Sequence, residues 1–351
     1  MSNRNHSFIS TAAADAFAQK LQSVDTGQLS LSDYDRRYLT HLLQHARYYC
    51  SIYAFLLNRA VALSGCPPAQ MVLMDYGAGN GLMGILAKAS GIGSVYLNDN
   101  NPVFLDAARS LAGALDIPID GFICGDITAD PSTFHSLHLD AVVGFDVIEH
   151  VYSLPEFFGQ LASLNNEVTV VMGTGANTHH PIKAARFRNL QRRDELVGGN
   201  PDDFTLYGAT PERAFRSQRL DIITEALPDL DRKTVDELAN RTRGLRKEDI
   251  LQVVHQYFTH GVLPVVPAHP TNTCDPQSGS WTEHLLPAAE YASMMREAGF
   301  TFRLDTGFYN AVGGGWRPLV LRAVNRLIPL FSKGLAPFLV FSGKRIGEKV
   351  E

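Results

Sequence analysis

The chain has 351 residues, 45% apolar and 19% charged, an ordinary balance for a globular protein with one core and appended elements. Its formal charge of −5, without a domain-wide basic excess, speaks against a nucleic-acid partner. Four scattered cysteines with no C-x-x-C pair suit a reducing compartment and offer no zinc site.

The first elements read as helical. Met1 to Ala18 is polar and lacks the basic start and apolar core of a secretion signal, so a cytoplasmic location is expected. Ala12 to Leu21 is one candidate helix, and Ser32 can cap a long one running to about Leu63. Leu39, Leu42, Leu43, Ala46, Tyr49, Cys50, Tyr53 and Leu56 recur at three- and four-residue steps, giving one apolar face. That face can pack on the core, pair with a second copy as a homodimer, or present Tyr49 or Tyr53 to a ligand as a lid.

Met71-Val72-Leu73-Met74 has the length and composition of a buried parallel strand. Asp75 closes it, Gly77, Gly79 and Gly81 follow, and Leu82 to Ala89 reads as a helix. A strand, a glycine turn and a helix N-terminus gather backbone N–H groups and the positive end of the helix dipole around a ligand. A dinucleotide loop calls for G-x-G-x-x-G, and Leu82 stands where its third glycine belongs. An acid directly before the loop would repel a pyrophosphate and favour a cation, such as the sulfonium and ammonium of S-adenosylmethionine.

Further strand ends carry acids. Ser94 to Asn98 is a second strand ending in Asp99, an acid placed to accept both hydroxyls of a ribose. Phe122-Ile123-Cys124 leads into Gly125-Asp126-Ile127, and Leu139 to Gly144 into Phe145-Asp146-Val147-Ile148-Glu149-His150-Val151. Glu167 to Met172 is a fifth strand. Taken in this order, these segments resemble the class I S-adenosylmethionine-dependent methyltransferases: an acid with G-x-G-x-G, a ribose acid, an adenine acid, and a D-x-x-E-H-V string beside the transferred methyl.

The resemblance implies an α/β fold, a Rossmann-like seven-stranded mostly parallel sheet with strand seven antiparallel, N-terminal helices, and a helical insertion after strand five. It implies S-adenosylmethionine as cofactor, bound by Asp75, Gly77, Ala78, Gly79, Asn80, Asp99, Asn100, Asp126, Ile127 and Asp146. Some relatives with E-x-x-E-H at the fourth strand bind a divalent ion; here the first acid is the shorter Asp146, and no metal is expected. The expected division is 1–68 helical, 69–176 cofactor core, 177–280 insertion and substrate cap, and 281–351 completing the sheet.

The insertion is charged with both signs, fourteen basic against thirteen acidic residues from Lys183 to Asp249, which marks solvated helices and not a polyanion clamp. Gly261 to Gln277, with four prolines, reads as loop. After it come a helix ending at Gly299, a strand from Phe300 to Asp305, and a last strand from Pro337 to Ser342. Between these strands, Leu319 to Leu335 reads as a helix that Pro329 should kink or end. Six basic residues and no acid fall between Gly313 and Arg345, so the 317–335 stretch can lie on an anionic membrane, hold an acyl chain, or form a dimer face.

An oxygen acceptor calls for a general base. His150 is the first choice, with His179, His180 and His284 also at loop positions. The leading reading is a methyltransferase of a small-molecule or lipid-like acceptor, at oxygen. The alternatives are a methyltransferase of RNA or protein docked by the insertion, and a non-catalytic cofactor-binding regulator.

Overall fold

The computed structural model describes residues 7–198 and 213–347; residues 1–6, residues 199–212 of the expected insertion, and residues 348–351 lie outside the described residues. The described chain forms two units, one of residues 7–148, 153–175 and 288–347, the other of Glu149–Tyr152 and 176–287.

The first unit holds a seven-stranded sheet. Its strands are β1 (Val72–Tyr76), β2 (Ser94–Asp99), β3 (Gly121–Cys124), β4 (Ala141–Phe145), β5 (Thr169–Thr174), β6 (Arg303–Thr306) and β7 (Leu339–Lys344), in the order β3-β2-β1-β4-β5-β7-β6. The pairs among β1 to β5 are parallel, and β7 runs antiparallel to both β5 and β6. The chain reverses its direction of travel across the sheet between β1 and β4, which is where open α/β sheets bind ligands at their carboxyl edge. The central strands are apolar because both faces are covered: Leu73, Met74, Val142, Val143, Val170 and Val171 are all buried.

The N-terminal helices are α1 (Thr11–Gln22), α2 (Asp33–Gln44) and α3 (Ala46–Ser64). Ser32 caps α2 through its hydroxyl, which accepts from the Asp35 N–H at 3.1 Å. The single long helix expected from Ser32 is broken at His45, whose backbone leaves helical geometry (φ −113°, ψ 20°). No glycine or proline marks the break. It redirects the chain, so that α2 packs on α5 (Pro102–Ala114) while α3 lies on α1, β4, β5 and β7. Leu39, Leu42, Leu43, Ala46, Cys50, Tyr53 and Leu56 all join the sheet core, with Tyr49 packed at its edge.

The remaining helices of this unit are α4 (Leu82–Ala89), α6 (Pro131–His135), α7 (Leu154–Leu164), α12 (Ala288–Glu297) and α13 (Trp316–Phe331). The strand expected from Phe300 starts at Arg303, because Phe300 makes only an isolated bridge to Arg345. Pro329 lies in the last turn of α13, and the helix ends two residues later. With no N–H, Pro329 cannot close the bond to residue 325, which suits a helix terminus.

The second unit contains α8 (Pro181–Leu196), α9 (Phe215–Ala226), α10 (Arg232–Arg241) and α11 (Lys247–His260). Its core is Ile222, Ile223, Val235, Leu238, Ala239, Ile250 and Val254, contributed by α9, α10 and α11. Glu149–Tyr152 is tied to the segment before α12: His284 N–H donates to the Glu149 carbonyl at 2.9 Å, and the Trp281 indole donates to the Tyr152 carbonyl at 3.0 Å.

Candidate functional site

Four strand ends of the first unit carry acids within a few residues: Asp75 at the end of β1, Asp99 closing β2, Asp126 after β3 and Asp146 after β4. The segments 75–81, 98–101, 125–128 and 145–148 contain no lysine or arginine.

The loop from Gly77 to Gly81 holds its glycines at φ +66°, +52° and +77°, the left-handed region that L side chains avoid. At Gly79 an added Cβ would meet only the Tyr38 ring, at 3.9 Å, so this position faces open space bordered by α2. Gly84, one turn into α4, is required for another reason: its Cβ would run into Leu97 of β2 and approach the Asp75 carboxylate. The close strand–helix packing usually given to a third loop glycine is therefore served by Gly84, which the motif spacing did not single out.

Asp75 is buried, and its Oδ2 accepts from the Gly84 N–H at 2.8 Å. Burial pushes its carboxyl up to about 7; the Gly84 N–H pulls it down and the Asp99 charge raises it. Asp99 is also buried and spans two loops, accepting from Gly79 N–H and Asn101 N–H, both at 2.9 Å. Burial raises its pKa as well, against the lowering effect of the Asn101, Gly79 and Asn100 N–H groups. Each of its oxygens retains acceptor capacity beyond one backbone bond. Asn100 is exposed beside it, and Asn101 caps α5.

Asn98 sends its amide to the carbonyls of Ile123 (3.0 Å) and Gly125 (2.8 Å), fixing the turn that presents Asp126. Asp126 Oδ1 accepts from the Thr128 N–H at 2.7 Å and hydroxyl at 2.8 Å. Ile127 is buried, and its N–H donates to the Tyr76 hydroxyl at 3.4 Å. Burial, and then the Asp126 charge, hold the Tyr76 phenol far above its ordinary value. Asp146 sits at φ +53°, a conformation that aspartate tolerates better than most residues. Its Oδ1 accepts from the Gly175 N–H at 2.8 Å, linking the ends of β4 and β5.

Asn80 is 1% exposed, and neither its side-chain oxygen nor its nitrogen has a hydrogen-bond partner among the described residues. Buried amide groups are rarely left so, because the lost hydration costs about 1–3 kcal/mol. The loop thus has an unmet polar demand, an open position at Gly79, and neighbouring strand-end acids whose segments contain no lysine or arginine. These features fit an adenosyl ligand bearing positive charge and no phosphate.

Aromatic rings from the N-terminal helices line this region. Tyr53 packs edge-on against Phe145 at 6.3 Å and stacks with Tyr49 at 6.1 Å, and Tyr38 stands opposite Gly79. Burial, joined by Asp146, raises the Tyr49 phenol; burial foremost, with Tyr38, Tyr49 and Asp75 contributing, raises Tyr53. Tyr38 was not among the apolar positions read from the helix period, since an exposed phenol and a site-facing one look alike there.

The four candidate histidines, His150, His179, His180 and His284, belong to the second unit. His150 Nδ1 lies 2.8 Å from the Trp281 carbonyl, which can only accept, so Nδ1 is the donor in that bond. His179 N–H donates to Asn177 Oδ1 at 2.9 Å. His180 caps α8, and burial followed by the Lys183 charge lowers its pKa. His284 stacks on Trp281 at 3.8 Å, and burial, then His269, lowers it to about 3, so it is neutral at physiological pH. Among the described residues, no group of three or more His, Cys, Asp or Glu side chains is placed to hold a metal ion.

No family model matches the chain, and no curated protein matches it. Solved structures similar to it include phosphoethanolamine N-methyltransferase 2 of Haemonchus contortus in complex with S-adenosyl-L-methionine (12% identity, 82% of this chain, 52% of that one, TM-score 0.38). They also include a candidate sarcosine dimethylglycine methyltransferase of Galdieria sulphuraria (12% identity, 89% and 97%, TM-score 0.42). A third is the plantazolicin methyltransferase in complex with SAH (13% identity, 95% and 95%, TM-score 0.39). The chain spans about half of the Haemonchus protein's length. These scores are too low to carry an argument, and the fold rests on the chain's own strand order.

Proposed function

We propose that this chain is an S-adenosylmethionine-dependent methyltransferase acting on a small-molecule or lipid-like acceptor, at oxygen. The observation that carries the reading is the row of four acids at the ends of the adjacent strands β3, β2, β1 and β4 (Asp126, Asp99, Asp75 and Asp146), in segments without a single lysine or arginine. A phosphate-bearing ligand would meet these carboxylates with no basic side chain from the same segments to offset them, while a sulfonium and an ammonium would find compensating charge.

When bound, S-adenosylmethionine supplies an electrophilic methyl group. The chain's residues hold and screen it. Asp99 accepts the ribose hydroxyls with the acceptor capacity left over from Gly79 and Asn101. Asp126 receives the adenine amino group, beside the buried Ile127. Gly77, Ala78, Gly79 and Asn80 bring main chain and the Asn80 amide against the ligand, and Asp75 and Asp146 set the negative potential for its charged end. Asn100 borders the ribose. Tyr38, Tyr49 and Tyr53 limit access of water. With its Nδ1 proton directed to Trp281, His150 offers Nε2 to accept the proton of a hydroxyl acceptor.

We assign 69–176, completed by 281–351, to cofactor binding and 177–280 to the choice of acceptor, with 1–68 covering the cofactor end. Incubation of the protein with methyl-labelled cofactor and a cell extract tests the reading. Label in a small hydroxylated or lipid-soluble product is expected. Label in RNA or protein would replace the acceptor class. Cofactor binding without transfer to any fraction would point to a regulator.

A further inference from the structure

Helix α13 presents an exposed apolar face. Its packed side is short: Ile328 is buried, Leu321, Val324 and Asn325 are partly covered, and the Asn325 side chain accepts from Tyr309 N–H at 2.7 Å and donates to the Tyr309 carbonyl at 3.0 Å. Those two bonds fix which side of the helix faces outward. On that outer side stand Trp316 (78% exposed), Leu319 (61%), Val320, Leu327, Leu330 (76%) and Phe331 (63%). At about 100° per residue they fall within an arc of about 120° that contains no polar residue. Arg322 and Arg326 flank the arc on one side and Arg317 on the other, all exposed, and α13 carries no acid.

We propose that this face of α13 lies on an anionic lipid bilayer, with the apolar arc immersed and the flanking arginines level with the headgroups. A surface helix normally turns its apolar stripe inward; here large apolar side chains are held outward by the Asn325 clamp. The face is a convex row of splayed side chains and not a groove, which suits a fluid apolar phase. Trp316 at the helix start is the residue type that anchors at an interface. Charge selects among occupants. Two copies packed through this face would bring Arg322 and Arg326 of each toward like charge with no acid on the helix to offset it. Anionic headgroups attract all three arginines despite the chain's negative total. No described helix is long and apolar enough to cross a membrane, so the contact is parallel to the surface. The inference does not depend on the chemistry of the cofactor site.

Co-sedimentation of the full chain with lipid vesicles tests it. Partition onto vesicles of phosphatidylcholine mixed with phosphatidylserine should exceed that onto phosphatidylcholine alone by at least about tenfold and fall with added salt. The double variant Leu327→Glu with Leu330→Glu, at exposed positions and with an unchanged thermal midpoint as the folding control, should lose that excess. Absence of the excess, or its survival in the variant, overturns the proposal. So does a dimer in analytical ultracentrifugation that the same variant dissociates, because the face is then a contact between copies.

Discussion

Buried carboxylates occur in both units, and the two sets are compensated differently. In the second unit Glu195 meets the Arg219 guanidinium at 2.5 Å, accepts from the Thr273 hydroxyl at 2.7 Å, and has Arg243 at 3.8 Å. Its charge is balanced by side chains of the same unit, and the group has a structural role. In the first unit Asp75 and Asp99 are held by backbone N–H groups. Dipoles offset desolvation only in part, and both carboxyls stay above their ordinary values. A buried acid paired with arginine completes the fold, while one held only by N–H groups still favours a cation from outside.

Breaking each kind of compensation should have different consequences. Glu195→Gln leaves the Arg219 charge, 0% exposed, without its partner and should destabilise the second unit by about 3–5 kcal/mol in urea unfolding. Cofactor affinity should change far less. Gly79→Val places a branched side chain at φ +52° and fills the open position. It should weaken cofactor binding by about 3–4 kcal/mol or more, with about 1–2 kcal/mol of backbone strain visible in the thermal midpoint. Near-normal affinity would move the ligand away from the loop. Asp99→Ala should cost about 1.5–3 kcal/mol of affinity by calorimetry while the fold persists; unchanged binding removes the ribose assignment.

The subtlest effect is on pH dependence. Asp75 titrates near 3.8 in the unfolded chain and at about 7 in the folded one. Between those values the folded chain keeps a proton that the unfolded chain has lost. The stability this group contributes is therefore full below about pH 4 and is lost as pH rises through about 7. A bound cation favours the ionised form, so binding below about pH 7 should release a proton, and affinity should rise with pH up to that point. Calorimetry in buffers of different ionisation heat reads the proton directly, and Asp75→Asn should flatten the profile. A pH-independent affinity in the wild-type chain would mean that Asp75 does not sense the ligand's charge.

The sheet was legible because buried parallel strands leave continuous apolar runs, and because glycine and acid punctuate their ends at Asp75, Asp99, Asp126 and Asp146. The α2–α3 break was not, since His45 carries no local signal and the bend is set by what the two helices pack against. Gly84 and Tyr38 carry no local signal for a related reason: their roles depend on the neighbours Leu97 and Gly79, far off in sequence or on another element. The interior of the second unit was the least legible. Arg219 reads as a solvated charge in a mixed-charge helix, and only tertiary packing makes it a core residue paired with Glu195. The outward apolar arc of α13 was half legible: composition gave a basic amphipathic helix, while the side turned inward is set by the bonds of Asn325 to Tyr309.

The most direct measurement is a pair of calorimetric titrations, run above the pH range in which Asp75 gains its proton, with S-adenosylmethionine and with NAD. Both ligands carry adenosine, and they differ in bearing a sulfonium or a pyrophosphate. Saturable binding of S-adenosylmethionine, weakened by Asp99→Ala, with no detectable binding of NAD is the expected result. Binding of NAD, or heat from neither ligand, would contradict the assignment of the strand-end acids to a cationic adenosyl group.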